Sequence, residues 1–357
     1  MIIDDCFKVR NLILSTVLSL GVGFISPAFA QQRLEHSYLI DTNNKTWTRL
    51  DLGIGRRASA LNDFGQVTSS GKAINNAGQM AGIGSYDGYI PRVYITGPDG
   101  VGQKLLSYVG VFSQLGDIND AGQVVGSNVD RVDARAFMTG PNGEGMTDIG
   151  DLGGESPYHD FLAYATGINE TGQVVGDSLA VLGGSHAFIT GPNGTGMTEL
   201  GTLGGNWSRA QGVNDAGQVV GASHTTSDLR TAETHAFITG PNGVGMRDLG
   251  TLGGDESVAE DINNAGQVVG RASLAGEELR HAFITGPNGE DMTDLNSLVD
   301  LPEGVILTRA IDINNQGQVL AYATAPIPEP ETYALMLAGL GLIGFSVQRR
   351  RRKILHE

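Results

Sequence analysis

Cysteine is nearly absent from this 357-residue chain, and Cys6 is the only one. After the first thirty residues there is therefore no disulfide framework, no thiolate metal site and no cysteine nucleophile. Aromatic residues make up 6% and charged residues 17%. Positive charge is scarce: 23 Lys and Arg stand against 39 Asp and Glu, a formal net charge of −16. Residues 1–30 are balanced and the tail from Ile327 is net basic, so the acidity lies in the body between them. Such a body is repelled by nucleic acid and by anionic membrane surfaces, which excludes nucleic acid as a partner. The charge suits an exported protein that must stay soluble. The body has no helical periodicity. It also lacks a Gly-x-Ser-x-Gly elbow, a His-Glu-x-x-His pair and a phosphate-cradling loop.

Glycine is plentiful, with 53 residues, and it recurs in register. Residues 235–270 read HAFITGPNGVGMRDLGTLGGDESVAEDINNAGQVVG, and residues 186–221 nearly repeat them. Looser copies lie at 135–176, 92–126 and 281–321, and a diverged copy opens the body at His36. Each copy starts with a β-branched and aromatic strand such as residues 235–239. Gly240-Pro241-Asn242-Gly243 then turns the chain, with Pro241 presetting φ and Gly243 taking the left-handed conformation. A second short strand follows at residues 246–249. An Asn-x-x-Gly-Gln hairpin completes the copy, in the pattern of a type I turn ending in a glycine bulge.

Each unit thus offers four short antiparallel strands. One such sheet cannot bury both faces, but stacked copies can. The expected fold is all-β, a β-propeller of four-stranded units. The first-strand type appears six times and the Asn hairpin seven times, because the hairpins at Asn62 and Asn75 lie within one unit's length. Six blades is the first reading and seven the alternative. The doubled hairpin marks an incomplete blade or the closure of the ring.

Both ends carry addresses. Lys8 and Arg10 precede an apolar run and then Pro27, Ala28, Phe29 and Ala30. This is a secretory signal peptide for Sec-type export machinery, cut between Ala30 and Gln31 with Ala28 and Ala30 as the small-residue site. The other end holds Pro328, Glu329 and Pro330, an apolar run, and then Arg349, Arg350, Arg351 and Arg352. The apolar run is short for a membrane span, and flanking stems can extend it by snorkelling. The arginines keep the tail cytoplasmic. The expected division is a signal helix at 1–30, a repeat domain at 31–324, a linker at 325–332, a transmembrane helix at 333–348 and a basic tail at 349–357.

This tail resembles the PEP-CTERM sorting signal of Gram-negative bacteria. The resemblance implies recognition and cutting near Pro328 to Pro330 by an exosortase-type protease, after an inner-membrane intermediate. The body resembles the HAF family of extracellular repeats in His186-Ala-Phe188, His235-Ala-Phe237 and His281-Ala-Phe283. It shares the family's Asp-Leu-Gly-Thr-Leu-Gly-Gly element at residues 248–254. The likeness departs at Arg135 and Arg92, where histidine is replaced, and it implies export and repeat architecture rather than an activity.

The recurring histidines His186, His235 and His281, with His36, invite a metal ring. Zinc needs converging ligands, whereas these residues sit one per unit and read as strand-start side chains packing between blades. The acidic hairpins at residues 117–122, 261–266 and 312–317 resemble calcium loops. They are too short and too rich in asparagine for the six to eight oxygens calcium takes, and turn formation explains them. Carboxylate pairs such as Asp148 and Asp151 recur with the scaffold instead of forming one asymmetric constellation. The reading is therefore a non-enzymatic, cofactor-free, exported scaffold or interaction protein at the cell surface, associated with exopolysaccharide or biofilm. The alternative is a carbohydrate-binding or carbohydrate-cleaving propeller that stacks sugars on Trp47, Trp207 and Tyr158. Function is best sought where the copies disagree, at residues 224–233, 153–164 and near Ser70.

Overall fold

The computed structural model describes residues 33–326 apart from 54–55, 85–90, 107–111, 130–132, 155–161, 182, 229–232 and 278. The expected signal peptide with Ala28, Ala30 and Gln31, the membrane helix, and the tail with Pro328 to Pro330 and Arg349 to Arg352 lie outside these residues. Among the described residues there is no α-helix, and no helix is long and apolar enough to cross a membrane. Leu34–Ala325 form one compact unit.

The chain runs through β1 (Arg33–Asp41) and β2 (Thr46–Leu50), then the hairpin β3 (Ala58–Leu61) and β4 (Val67–Ser69). Next come β5 (Ala73–Ile74), β6 (Met80–Gly84), β7 (Arg92–Ile95) and β8 (Lys104–Leu105). They are followed by β9 (Phe112–Ile118), β10 (Val124–Val129), β11 (Ala134–Met138) and β12 (Thr147–Asp148). The next group is β13 (Ala163–Ile168), β14 (Val174–Leu179), β15 (Ser185–Thr190) and β16 (Met197–Gly201). After it come β17 (Ser208–Val213), β18 (Val219–His224), β19 (Thr234–Thr239) and β20 (Met246–Gly250). Last are β21 (Gly253–Ile262), β22 (Val268–Leu274), β23 (Arg280–Ile284) and β24 (Thr293–Asp294), and then β25 (Ile306–Ile313) and β26 (Gln318–Pro326).

From β5 to β24 each group of four pairs antiparallel in chain order. A single parallel bridge, Thr234 to Glu256, joins the last two groups into one sheet. The closing sheet has the order β2-β1-β26-β25. The two ends of the body therefore share one sheet, and the two-stranded β3–β4 hairpin follows it. The sequence units are offset from the sheets. The strand of residues 235–239 and its partner β20 pair with the preceding hairpin β17–β18, not with the Asn263 hairpin that follows. Strand composition marks the unit but not where one sheet ends, and the sheet boundary falls after Gly250.

The core sits between neighbouring sheets. Phe188, Phe237 and Phe283 are fully buried, each among apolar side chains of its own sheet and of the neighbouring ones. Phe237, for example, packs with Val175 and Ile189 of the preceding sheet. Full burial of each ring contributes about 2–3 kcal/mol. The ring shelves over a glycine. Phe137 lies beside Gly126 and Phe283 beside Gly270, where an added Cβ would stand 2.9 and 2.8 Å from ring atoms. At Gly176 the constraint is the backbone: the bulge between Ala165 and Gly167 brings Tyr164 O within 1.8 Å of where a Cβ would stand.

The Gly-Pro-Asn-Gly turns form single 3₁₀ turns. Asn242 and Gly243 both have positive φ, at 55° and 74°, so asparagine shares the conformation expected of the glycine alone. Each turn docks on the hairpin turn of its own sheet: Asn142 N–H donates to Ala121 O and Gly143 N–H to Gly122 O. The β1–β2 strand types, the Asn hairpins and the antiparallel pairing agree with an all-β repeat.

Candidate functional site

The inner strands β3, β5, β9, β13, β17, β21 and β25 surround a central cavity of about 570 Å3. Two closed rings of hydrogen bonds encircle it. In the first, the hairpin asparagine of each station donates its Nδ2–H to the backbone carbonyl of the next. The order is Asn62, Asn75, Asn119, Asn169, Asn214, Asn263, Asn314 and back to Asn62, at 2.9 to 3.3 Å. Each of these asparagines also organises its own turn. Asn62 Oδ1 accepts from the N–H of Phe64 and of Gln66, while Gly65 N–H donates to Asn62 O. One residue type at one position thus closes the turn and links the stations.

The second ring uses the next residue. The backbone N–H of Asp63, Asn76, Asp120, Glu170, Asp215, Asn264 and Asn315 each donates to the side-chain oxygen of the following member, at 2.7 to 3.0 Å. Four of the seven are carboxylates, so the mouth of the cavity is acidic. Glu170 is pushed up by burial first, with Asp120, Asp215 and Asp63 adding.

Deeper in the wall, two residues before the hairpin asparagine, lie Asp117, Asp261 and Asp312. The equivalent positions in the other copies are Ala60, Ala73, Gly167 and Gly212. Asp261 Oδ2 accepts from Ile313 N–H at 2.9 Å, and Asp312 Oδ2 accepts from Leu61 N–H at 2.7 Å. Asp117 accepts from Ile168 N–H. Each carboxyl therefore satisfies an inner-strand donor of the neighbouring station. Burial pushes Asp117 up to about 7, with Asp261 and Glu170 adding. The Asp261 and Asp312 side chains hydrogen-bond each other. Burial raises both, and the charge of Asp261 lifts Asp312 further, so Asp312 holds the proton it donates. Lys72 is the basic residue in the cavity lining. Glu260, beside Asp261, accepts from Arg271 and from Arg309 across to the closing sheet.

The repeated histidines are largely buried, and their polar partners lie within their own sheets. Each pairs with a carboxylate on the fourth strand of its own sheet: His186 with Glu199, His235 with Asp248 at 2.8 Å, and His281 with Asp294 at 2.7 Å. Arg135 takes the same place against Asp148 at 3.4 Å. His36 faces Arg49 instead, and its pKa is lowered by burial and then by that charge. The thirteen-residue interval to the acid recurs for Arg135, His186, His235 and His281, a signal the sequence already carried. Asp148 and Asp151 also brace turns, accepting from Gly150 N–H and Gly153 N–H. The acids of the hairpins likewise hold backbone donors. Among the described residues no three His, Cys, Asp or Glu side chains group as metal ligands.

Of the aromatics considered for stacking, Trp47 packs on Tyr38 at 5.8 Å and donates its Nε1–H to Asp300 O. Trp207 lies 5.1 Å from the His224 ring. Tyr158 lies outside the described residues. Residues 153–164 and 224–233 are described only in part. The strand ends that lead into them lie opposite the Asn hairpin turns, because successive antiparallel strands reverse direction.

A family model described as the PEP-CTERM protein-sorting motif matches residues 326–352. No curated protein sequence matches the chain. Among solved structures, one described as a TolB of Agrobacterium tumefaciens aligns with TM-score 0.51 and 10% identity, over 83% of this chain and 100% of that one. A TolB of Acinetobacter baumannii aligns with TM-score 0.45 and 12% identity, over 72% of this chain and 62% of that one. An oligogalacturonate lyase in complex with manganese aligns with TM-score 0.43 and 11% identity, over 74% and 73%. The sorting motif implies export, a membrane-anchored intermediate and processing by an exosortase in a Gram-negative bacterium, while the structural likeness is one of fold: all-β, in four-stranded antiparallel sheets, with TolB-type β-propeller neighbours.

Proposed function

We propose that the chain is an exported β-propeller scaffold, made of HAF-type repeats and delivered to the cell surface by its tail, where it serves as a non-enzymatic interaction module in an exopolysaccharide or biofilm setting. Its ring has seven stations, of which β3–β4 is a blade reduced to two strands. The observation that carries this reading is the use of the repeated polar residues. The hairpin asparagines and the rim acids are engaged in hydrogen bonds around the ring, and the histidines in cross-strand pairs within their own sheets. Recognition then falls to the segments that differ between copies. Fractionation of cells tests the address: replacing Arg349 to Arg352 should leave the protein in the inner membrane, and unchanged surface delivery would refute it.

A carbohydrate-binding or carbohydrate-cleaving propeller is the second reading. The cavity favours it, since buried carboxyl groups with raised pKa values are common apparatus of acid–base chemistry. A screen of the full chain against acidic and neutral polysaccharides decides between them. Turnover that disappears with Asp312→Asn would replace the scaffold reading. Binding without turnover, abolished by shortening residues 224–233, would support it.

A further inference from the structure

The ring is closed by two junctions that flank β25, and a carboxyl side chain spans each one. At the first, Asp261 of β21 reaches the N–H of Ile313 in β25; at the second, Asp312 of β25 reaches the N–H of Leu61 in β3. The two carboxyls also meet each other. Elsewhere the same wall position holds alanine or glycine, apart from Asp117. The paired acids thus sit where strands from opposite ends of the body must join: β25 and β26 enter one sheet with β1 and β2.

We propose that the Asp261–Asp312 pair is a proton-dependent latch that holds the propeller ring shut at this seam and lets it loosen as the proton is lost.

Two carboxyl groups in contact inside a wall are stable while they share one proton, because the shared proton replaces repulsion with a hydrogen bond. Losing it leaves two anions side by side. The charged groups around them do not relieve this. Asp117 acts on Asp312 from β9 and Glu260 on Asp261 from the adjoining position of β21, while Asp63, Asp120, Glu170 and Asp215 line the same cavity. Arg271 and Arg309 are already bound to Glu260. Lys72, just before β5, is the basic residue lining the cavity. Both anions would still attract the backbone donors Ile313 and Leu61, so the seam loosens by the pair moving apart, and it carries β25 with it.

The sign follows from linkage. Both folded values are raised, so the folded ring holds a proton that the unfolded chain releases. The contribution is complete below the ordinary carboxylate range and is lost as pH rises through the folded value.

Hydrogen exchange of the full chain, read by mass spectrometry and corrected for intrinsic exchange, tests this. In the wild type, opening at peptides containing Leu61 and Ile313 should rise by about tenfold per pH unit once the pair begins to titrate. Peptides containing Ala222, in β18, should stay flat. In Asp312→Asn the amide can still accept from Leu61 and donate to Asp261, so the seam should stay closed and pH-insensitive. Asp117→Asn removes a neighbouring charge and should shift the pH at which the seam responds without abolishing the response. The proposal is overturned if seam and β18 peptides open together, if Asp312→Asn keeps the wild-type slope, or if Asp117→Asn abolishes it.

Discussion

Asn314 donates its Nδ2–H to the backbone carbonyl of Asn62, 3.0 Å away and 252 residues earlier in the chain. That bond completes the asparagine ring, and it is made between the last hairpin and the first. Replacing Asn314 with alanine leaves Asn62 O with only its own turn donor, Gly65 N–H, and leaves the turn donors Gln316 N–H and Gln318 N–H without their side-chain acceptor. Stranding buried groups of this kind costs about 1–3 kcal/mol. Asn169→Ala removes the matching bonds at an interior junction. Both variants should therefore melt earlier than the wild type by similar amounts. Thermal denaturation showing no change for Asn314→Ala would mean that the ring bond adds nothing to closure.

The aromatic position of each repeat is a core position. Phe237→Ala empties a fully buried site between two sheets and should cost about 3–5 kcal/mol. Gly221→Ala fails for the opposite reason, because the new Cβ would stand 2.0 Å from Arg209 O. Both losses should be visible as lower denaturant midpoints, with Gly245→Ala, at an open position, as the comparison. There the loss should come only from its positive φ.

Much of this was legible in the chain. The Asn-x-x-Gly-Gln pattern announces a hairpin whichever sheet it joins, since turn and side-chain bonds are local. The phenylalanines announce a core because they recur in β-branched strands. The closeness of Asn62 and Asn75 marks in the sequence either an incomplete blade or the closure of the ring. What stayed hidden depends on closure. Asp117, Asp261 and Asp312 lie far apart in the chain and look like turn acids, and only the ring brings Asp261 against Asp312. The histidine partners were visible in principle, because Glu199, Asp248 and Asp294 each follow by the same interval. Cross-strand pairing across a turn of fixed length produces that interval, and it has to be sought as a pair rather than as a motif.

Because the histidines serve cross-strand pairs near the surface, their removal should be mild. His235 keeps 16% of its side chain exposed and Asp248 keeps 43%, so solvent screens most of the interaction. His235→Ala should lower stability by about 0.2–1 kcal/mol. Zinc should shift the melting temperature of neither protein. A zinc-dependent rise in the wild type that vanishes in the variant would restore the metal reading.

Asp117 gives a pH dependence of its own. Its folded pKa lies at about 7, raised by burial from an ordinary value of 3.8. The folded protein therefore holds a proton that the unfolded chain has lost between those values. Stability from this group is complete below the unfolded value and declines as pH rises through about 7. Asp117→Asn should flatten that part of the profile of melting temperature against pH. An unaltered profile would show that the carboxyl is ionised throughout.

The four Asn-Gly sequences, at Asn142, Asn193, Asn242 and Asn288, are chemically vulnerable: attack of the glycine nitrogen on the asparagine side-chain carbon expels ammonia and forms a succinimide. In each turn that nitrogen is occupied. Gly143 N–H donates to Gly122 O, Gly194 to Gly172, Gly243 to Gly217 and Gly289 to Gly266, at 2.9 to 3.0 Å. The reaction needs this bond broken and the turn rotated out of its left-handed conformation. Deamidation in the native protein should therefore run through local opening, and should be about a hundredfold slower than in the unfolded chain if opening costs about 3 kcal/mol. Peptide mapping after incubation at mildly alkaline pH, native against denatured, measures this. Equal rates in the two states would mean that the docked turns open freely. A faster rate confined to Asn288 would instead place the weak point in the sheet next to the closing seam.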